Sequence, residues 1–304
     1  MTESGRACAV EAFAKVNRSL RVLGKRPDGY HELDTIFQTV DLTDTLSFLE
    51  REDDELVLTI EGASLPVSEE NLVLRAARAL KARFDGPRGA DIHLSKKIPV
   101  GGGLGGGSSD AASALRGLAA LWRLPATDAD LYALAVSLGS DVPFFLLGGH
   151  ARGRGRGDVL TPLPDGPEEW LLLVFPPFSL STEAVYAVLS APALTDPAAH
   201  TNLCGSDSGD GPDRNDLEPA AESLQGELKR FREALSDHGA TSARLSGSGS
   251  TVFGVFEDEE SARRAFEGLA GLREETMARM TIVKTVSKAV FARRAIPSTM
   301  RRRG

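Results

Sequence analysis

Between residues 99 and 110 the chain reads Pro99-Val100-Gly101-Gly102-Gly103-Leu104-Gly105-Gly106-Gly107-Ser108-Ser109-Asp110, with six glycines in seven positions. Such a stretch has almost no side chains with which to build a core, and each glycine gives up more conformational freedom on ordering than any other residue. It therefore belongs where two regular elements meet, in a place that needs bare backbone. Residues 90–97 before it have the composition of a strand, and Ala111-Ala112-Ser113-Ala114-Leu115 after it that of a helix, so the unit reads as strand, glycine turn, helix. A helix beginning near Ser108 aims free N–H groups and the positive end of its dipole over the loop, and the missing Cβ atoms let an anion come close. Phosphate binding is the expected purpose. A linker would not need the capping chemistry of Ser108-Ser109-Asp110.

Two other phosphate loops fit less well. Gly102 and Gly107 have the spacing of GxxxxGK[ST], but Ser108 stands where lysine is required. Gly101, Gly103 and Gly106 satisfy GxGxxG, as any run this rich in glycine does by chance. No acidic strand end follows at the distance a dinucleotide requires.

With 304 residues, 41% hydrophobic and 26% charged, the chain has material for two domains and a sizeable core. Its net charge of -8 argues against a protein built chiefly to neutralise nucleic-acid phosphates, and leaves anionic small molecules open wherever basic groups face them. Cys8 and Cys204 form neither a disulfide framework nor a CxxC pair, and the five histidines show no zinc-like spacing. A reducing cytoplasm fits best. No signal-peptide core and no run of membrane-spanning length is present. The expected setting is cytoplasmic, with neither membrane nor nucleic-acid partner, and on that reading Asn17-Arg18-Ser19 matches a glycosylation acceptor only by accident.

Five strand-like runs open the chain, at 8–14, 19–23, 35–41, 45–50 and 56–61; Leu56, Leu58 and Ile60 alternate cleanly. Gly24-Lys25-Arg26-Pro27-Asp28-Gly29-Tyr30-His31 reads as a loop. Ser68, followed by Glu69 and Glu70, reads as the N-cap of a helix whose buried stripe is Leu72, Ala76, Leu80 and Phe84. Further helices are expected at 111–122 and 128–138. The second is broken by Gly139-Ser140-Asp141-Val142-Pro143, which sets Asp141 at a turn or helix start. Residues 148–157, where Arg152, Arg154 and Arg156 alternate with glycines, read as a hairpin or loop with solvated arginines.

Prolines and glycine at 162–167 mark the expected boundary between domains 1–163 and 164–304. Beyond it come a strand at 170–175, a helix at 182–189, a polar segment at 201–216 too poor in apolar residues to pack, a helix at 220–235 and strands at 243–245 and 251–256. Asp258 caps a helix with Ala262, Ala265, Phe266 and Leu269 on one face, and a strand at 282–286 closes the series. With one extra helix set aside the order is βαββαβ, the ferredoxin-like pattern. The basic tail, Arg293, Arg294 and residues 301–303, reads as a solvated terminus.

Residues 99–112 resemble the ATP-binding motif PxxxGLGSSAA of the GHMP kinase superfamily. The inserted glycines and Asp110 follow the version carried by members that act on 4-diphosphocytidyl-2-C-methyl-D-erythritol. Ala14-Lys15-Val16-Asn17, continuing to Gly24-Lys25-Arg26-Pro27-Asp28-Gly29-Tyr30-His31-Glu32-Leu33, resembles the first motif of those members, and Leu245-Ser246-Gly247-Ser248-Gly249-Ser250-Thr251 the third. All three occur in order. The resemblance implies a two-domain α/β kinase of the α+β kind, with an N-terminal domain built like the second domain of a small-subunit ribosomal protein and a ferredoxin-like C-terminal domain, and with ATP and substrate in the cleft between them. It implies phosphorylation of the 2-hydroxyl of that cytidylated erythritol, in non-mevalonate isoprenoid (terpenoid) precursor biosynthesis, by a monomer or weak homodimer.

By the same resemblance Lys15 and Asp141 are catalytic, Pro99 to Ser109 bind ATP, and Asn17, Tyr30, His31 and Tyr186 bind the substrate. Phosphoryl transfer needs an aligned hydroxyl and positive charge near the equatorial oxygens. Asp141 accepts the hydroxyl proton on this reading, and Lys15 either orients Asp141 and the hydroxyl or stabilises developing charge. A carboxylate is a weak base toward an alcohol, an objection that loses force when the transition state is loose and proton transfer comes late. A cytosine ring wants a stacking face and edge hydrogen bonds, which Tyr30 and His31 supply, with Tyr186 on the other face. Asn17 is a hydrogen-bonding group for the substrate, and the turn of residues 246–250 reaches for phosphates with its N–H groups. Magnesium accompanies ATP, with Ser108 or Ser109 as contacts, since no acidic metal cluster is readable.

Three places depart from the family pattern: Arg18-Ser19 where a leucine commonly follows the asparagine, Ser250 for a frequent proline or alanine, and a longer, more polar segment at 201–213. The competing readings are a GHMP kinase for mevalonate, homoserine or a sugar, a non-catalytic nucleotide-binding relative, and a dinucleotide-binding oxidoreductase. The pair Tyr30 and His31 counts against the first, and the presence of both Lys15 and Asp141 against the second.

Overall fold

The computed structural model describes residues 6–84, 89–189 and 214–299. Cys204, residues 201–213 of the polar segment and residues 301–303 lie outside them.

Two long antiparallel strands, β1 (Ala7–Lys25) and β2 (His31–Glu50), carry the first half. The apolar pattern suggests two strands in each, yet both run unbroken. The polar residues that interrupt the pattern, among them Lys15, Asn17 and Asp44, are buried rather than placed in turns. Register shifts near Phe13, Asn17 and Val22 absorb the change of phase. The loop expected at 24–31 shrinks accordingly to residues 26–30.

β2 is long enough to hold β4 (Ala90–Ser95) against residues 45–50 and β5 (His150–Gly155) against residues 33–38. β3 (Leu56–Glu61) runs parallel to β4, and β6 (Val159–Pro162) extends the sheet beyond β5. The arginines of β5 differ from the solvated turn expected of them. Arg152 donates from Nε and Nη2 to Asp34, both at 2.6 Å, because its register partner is Ile36 and Asp34, two positions along β2, lies on the same face of the sheet.

Four helices cover one face of this sheet: α1 (Leu72–Arg83), α2 (Gly106–Leu121), α3 (Asp128–Leu138) and α4 (Phe144–Leu147). Leu46, Phe48, Ile92 and Leu94 from the sheet pack against Leu74, Leu80, Leu115 and Leu118 from the helices. At Gly117 a Cβ would stand 2.2 Å from the Phe48 ring, so α2 approaches the sheet as only a glycine permits. The α1 N-cap is Asn71, whose side chain accepts from Val73 N at 3.0 Å. Ser68 instead closes the turn before it, its carbonyl accepting from Asn71 N.

The second sheet is antiparallel throughout, in the order β10 (Arg279–Lys284), β7 (Trp170–Phe175), β9 (Val252–Phe256), β8 (Ser242–Leu245). With α7 (Glu227–Asp237) and α8 (Glu259–Gly268) it is ferredoxin-like, and α5 (Thr182–Val188), α6 (Glu218–Leu224) and α9 (Ala270–Thr276) are additions. The helix expected at 220–235 is thus two helices, parted where Gln225 turns extended. β7 lacks alternation because both its faces are buried. Leu172 and Val174 join Phe231 and Leu235, while Leu171, Leu173 and Phe175 pack with Ala14, Val16, Val40 and Leu104 of the first half. The two sheets therefore share a core.

The chain then returns to its beginning. α10 (Lys288–Arg294) and β11 (Ser298–Thr299) pack on the first sheet, with β11 paired to β1. Arg293 and Arg294 are both exposed, but Arg294 is tied to the first sheet. It forms a bidentate pair with Glu11, both bonds 2.8 Å, and its guanidinium lies 4.8 Å above the Phe13 ring. Among the described residues, no helix is long and apolar enough to cross a membrane.

Candidate active site

A cavity of about 1160 Å³ opens between the two sheets, lined from one side by the glycine loop, β1, β2 and Asp141, and from the other by Thr182, Tyr186, Gly247 and Ser248. The loop takes the shape its composition allows. Gly101, Gly103 and Gly105 have φ of +70°, +73° and +69°, a region closed to most side chains. At Gly103 a Cβ would also stand 2.0 Å from the carbonyl oxygen of Ser246. α2 starts at Gly106, earlier than the sequence suggests, so Ser108, Ser109 and Asp110 lie inside the helix and do not cap it; its N-cap is Gly105, with no side-chain cap bond. Its ladder begins with Ser109 N donating to Gly105 O at 2.8 Å, which leaves the N–H groups of Gly106, Gly107 and Ser108 at the helix end that lines the cavity.

Lys15 is 2% exposed on β1. Its ammonium donates to Asn17 Oδ1 at 2.6 Å and to the Gly103 carbonyl at 2.7 Å, and lies 3.7 Å from Asp141 Oδ2. Burial holds its pKa below the ordinary lysine value, an effect that the Asp141 carboxylate opposes. Asn17 is fixed in turn, since its Nδ2 donates to Thr35 Oγ1 at 2.8 Å and that hydroxyl donates to the Ser19 carbonyl at 2.7 Å. Asp141 lies in the turn before α4, its side chain 32% exposed toward the cavity. Lys15, Asp141 and the glycine loop thus meet, although the chain separates them widely.

The turn of residues 246–250 packs onto the loop from the second sheet. Ser246 Oγ donates to the Gly103 carbonyl at 2.9 Å, and Thr251 N to the Gly102 carbonyl at 3.2 Å. Asn215, read from sequence as part of a polar loop, is buried, and its Nδ2 donates to the carbonyls of Leu245 and Gly247 at 2.9 and 2.8 Å. Residues 214–216 are tied to Leu20 of β1, so this end of the predicted segment is built into the fold. Thr182 and Ser248 share a hydrogen bond of 2.9 Å across the second half of the cavity.

At the far end His31 and Tyr186 stack, their ring centroids 4.7 Å apart. Burial first, and Lys25 second, lower the His31 pKa; burial first, and Asp141 second, raise that of Tyr186. Tyr30 is 54% exposed with the Arg156 guanidinium 4.9 Å over its ring. Arg156 also lines the cavity, so the last arginine of the hairpin belongs to this site. The departures from the family pattern leave it intact: Arg18 turns away to Glu169 at 2.6 Å, and Ser250 Oγ donates to the Phe178 carbonyl at 2.7 Å.

Sequence reasoning missed the support beneath the loop. Lys96 sits between two carboxylates, bonded to Asp44 Oδ2 and, at 2.8 Å, to Asp110 Oδ2; all three residues are buried. Asp44 Oδ1 accepts from Lys97 N at 2.5 Å and Ile98 N at 2.8 Å, which fixes the entry to the loop. Burial alone would depress Lys96, but Asp110 and Asp44 hold its pKa above the usual value. Burial pushes Asp110 up to about 7, with Lys96 working against it. No local signal marks the cluster, since Asp44 stands between Thr43 and Thr45 and Lys96 beside Lys97.

Among the described residues no group of three His, Cys, Asp or Glu side chains is arranged to hold a metal. Magnesium is hard, prefers oxygen and commonly rides on phosphates with several of its own waters. Ser108 lines the cavity while Ser109 is buried at 1% exposure. A nucleotide-borne magnesium with Ser108 as the protein oxygen at hand fits this donor set.

Profiles described as GHMP kinases N terminal domain and GHMP kinases C terminal match residues 71–149 and 196–272. A 4-diphosphocytidyl-2-C-methyl-D-erythritol kinase of Pelotomaculum thermopropionicum is 45% identical over 83% of this chain and 90% of its own length. The enzyme of the same name from Alkaliphilus metalliredigens is 38% identical over 88% and 94%. A crystal structure of 4-(cytidine 5'-diphospho)-2C-methyl-D-erythritol kinase superposes with a TM-score of 0.73 at 38% identity, covering 90% of this chain and 98% of that one. A homoserine kinase from Cytophaga hutchinsonii shares the fold, with a TM-score of 0.72 at 18% identity over 99% and 98% of the two chains. With its glycine loop, its first and third motifs and this level of identity, the chain belongs to the 4-diphosphocytidyl-2-C-methyl-D-erythritol kinase family of the GHMP kinases.

Proposed function

We propose that the chain transfers the γ-phosphoryl group of ATP to the 2-hydroxyl of 4-diphosphocytidyl-2-C-methyl-D-erythritol, a step of non-mevalonate isoprenoid precursor biosynthesis. The observation that carries this reading is the approach of Lys15 Nζ to Asp141 Oδ2, 3.7 Å apart, in a cavity with a phosphate-type loop at one end and Tyr30, His31, Tyr186 and Arg156 at the other. The hydroxyl oxygen forms a bond to the γ-phosphorus as the bond to the ADP oxygen breaks, and the hydroxyl proton passes to Asp141. Lys15, held by Asn17 and the Gly103 carbonyl, orients the carboxylate and offsets charge on the transferring group. The N–H groups of Gly106, Gly107 and Ser108 hold the phosphates. Bound magnesium would neutralise phosphate charge, and Ser108, which lines the cavity, could contribute an oxygen to hold it. The aromatic end selects the pyrimidine by stacking and edge hydrogen bonds.

This reading places the chain in the cytoplasm, as a monomer or weak homodimer, with a small-molecule substrate and no role for nucleic acid or membrane. A coupled kinase assay tests it. ATP should be consumed with the cytidylated erythritol and not with mevalonate or homoserine. Asp141→Asn should lower kcat by at least about 10²-fold while Mg·ADP still binds. Ordinary turnover by that variant would overturn the role of Asp141.

A further inference from the structure

We propose that Arg116, backed by Phe291 of the C-terminal helix, is a positioning residue for Asp141. Arg116 lies on α2, and its guanidinium donates to main-chain carbonyls, those of Phe145 at 3.4 Å and Leu146. These carbonyls belong to α4, the single turn that follows Asp141. A cation at the carbonyl end of a helix is favourably placed, and charged donors make the stronger hydrogen bonds.

The segment so gripped is continuous with Asp141. Val142 N donates to the Gly139 carbonyl, Phe144 N to that of Asp141, Phe145 N to that of Val142 and Leu146 N to that of Pro143, at 3.1 to 3.3 Å. A shift at residues 145–146 is therefore passed back along overlapping turns. The Asp141 side chain is 32% exposed and meets Lys15 at 3.7 Å, beyond hydrogen-bond distance. Its place therefore depends on its backbone as well as on that ion pair.

Phe291 closes the arrangement from outside. The Arg116 guanidinium lies 5.5 Å over its ring, and a Cβ on Gly148, just past α4, would stand 2.0 Å from the same ring. Phe291 also packs on Phe13, centroids 5.3 Å apart. The C-terminal helix therefore holds both Arg116 and the far end of the Asp141 segment, a connection spanning half the chain.

The inference rests on the proposed role of Asp141, and one set of variants separates the two. Arg116→Met keeps the aliphatic packing and removes the charge and donors. Its kcat should fall about 10- to 100-fold, as expected when a reacting group is misplaced by a fraction of an ångström to an ångström. KM for both substrates and the affinity for Mg·ADP should stay within about threefold, with a native circular dichroism spectrum, because the nucleotide loop and the aromatic pocket are untouched. Phe291→Leu, which keeps apolar bulk, should give a smaller loss of the same kind, and Arg116→Lys should recover part of kcat through its charge and its ammonium N–H donors. In an Asp141→Asn background, Arg116→Met should cost nothing further. Unchanged kcat in the folded Arg116→Met or Phe291→Leu variant, or an equal loss in the Asp141→Asn background, would overturn the inference. Full kcat in Asp141→Asn alone would instead overturn the reading on which it rests.

Discussion

Lys15 is a cation in a place where cations are expensive, and its chemistry follows from that cost. At 2% exposure its charge is maintained by two oxygens at hydrogen-bond distance and by the carboxylate of Asp141. Because burial lowers its pKa, the folded protein gives up this proton at a lower pH than the unfolded chain does. Between the two pKa values the unfolded state binds more protons, so this group's contribution to stability rises with pH across that window. Activity should move the other way. The alkaline limb of the kcat profile should fall below the ordinary lysine range while circular dichroism shows the fold intact. Lys15→Arg, which does not titrate there, should push that limb upward. An alkaline limb that stays put in the arginine variant would remove Lys15 from the mechanism.

The glycine loop is stiffened by elements that the loop's own sequence does not mention. Asp44 from β2, Lys96 at the end of β4 and Asp110 from α2 form one buried cluster, and Asp44 also holds the backbone at residues 97–98. Lys96 is the only one of the three that is positive. Lys96→Met would leave two buried carboxylates facing each other and should cost about 3–5 kcal/mol in a urea titration. Adding Asp110→Asn should return part of that loss. A cost under about 1 kcal/mol, as for an exposed pair, would show that the cluster does not hold the loop. The loop's left-handed glycines and its junction with a helix were legible from composition. The cluster was not, because Lys96 and Asp44 look in sequence like ordinary surface charges, and only strand pairing puts Asp44 beneath α2.

At the scale of the molecule, the cavity and the core of Ala14, Val16, Leu104, Leu171 and Phe253 lie between the same two sheets. A nucleotide that bridges the glycine loop and the turn at 246–250 should therefore stabilise both halves together. Mg·ADP at 100 times its Kd should add about 2.7 kcal/mol, seen as a rise in Tm of a few degrees with the transition kept single. Melting that splits in two, or a Tm that does not move at saturation, would contradict a shared cleft. The return of α10 and β11 to the first sheet belongs to this scale as well. The basic character of residues 293–294 suggests a solvated tail, but Arg294 finds Glu11 and Phe13 across the whole length of the chain.

What the sequence determined by itself was local. Glycine and proline placed the loop and the break at residue 139, and apolar periodicity most of the helices, since these depend on φ preference and on partners a few positions away. Of the caps read from sequence Asp258 holds, while Asn71 and Gly105 take the places expected for Ser68 and for Ser108 to Asp110. The order of elements in the second half was legible for the same reason. Tertiary structure decided the rest. It joined pairs of predicted strands into β1 and β2 by burying their polar residues, and turned Arg152 and Arg156 toward Asp34 and Tyr30. It also brought Asn215 under the turn at 246–250 and Phe291 against Arg116 and Gly148. These contacts join residues far apart in the chain, and a polar side chain's partner across a sheet is fixed by register and packing, which no local preference encodes.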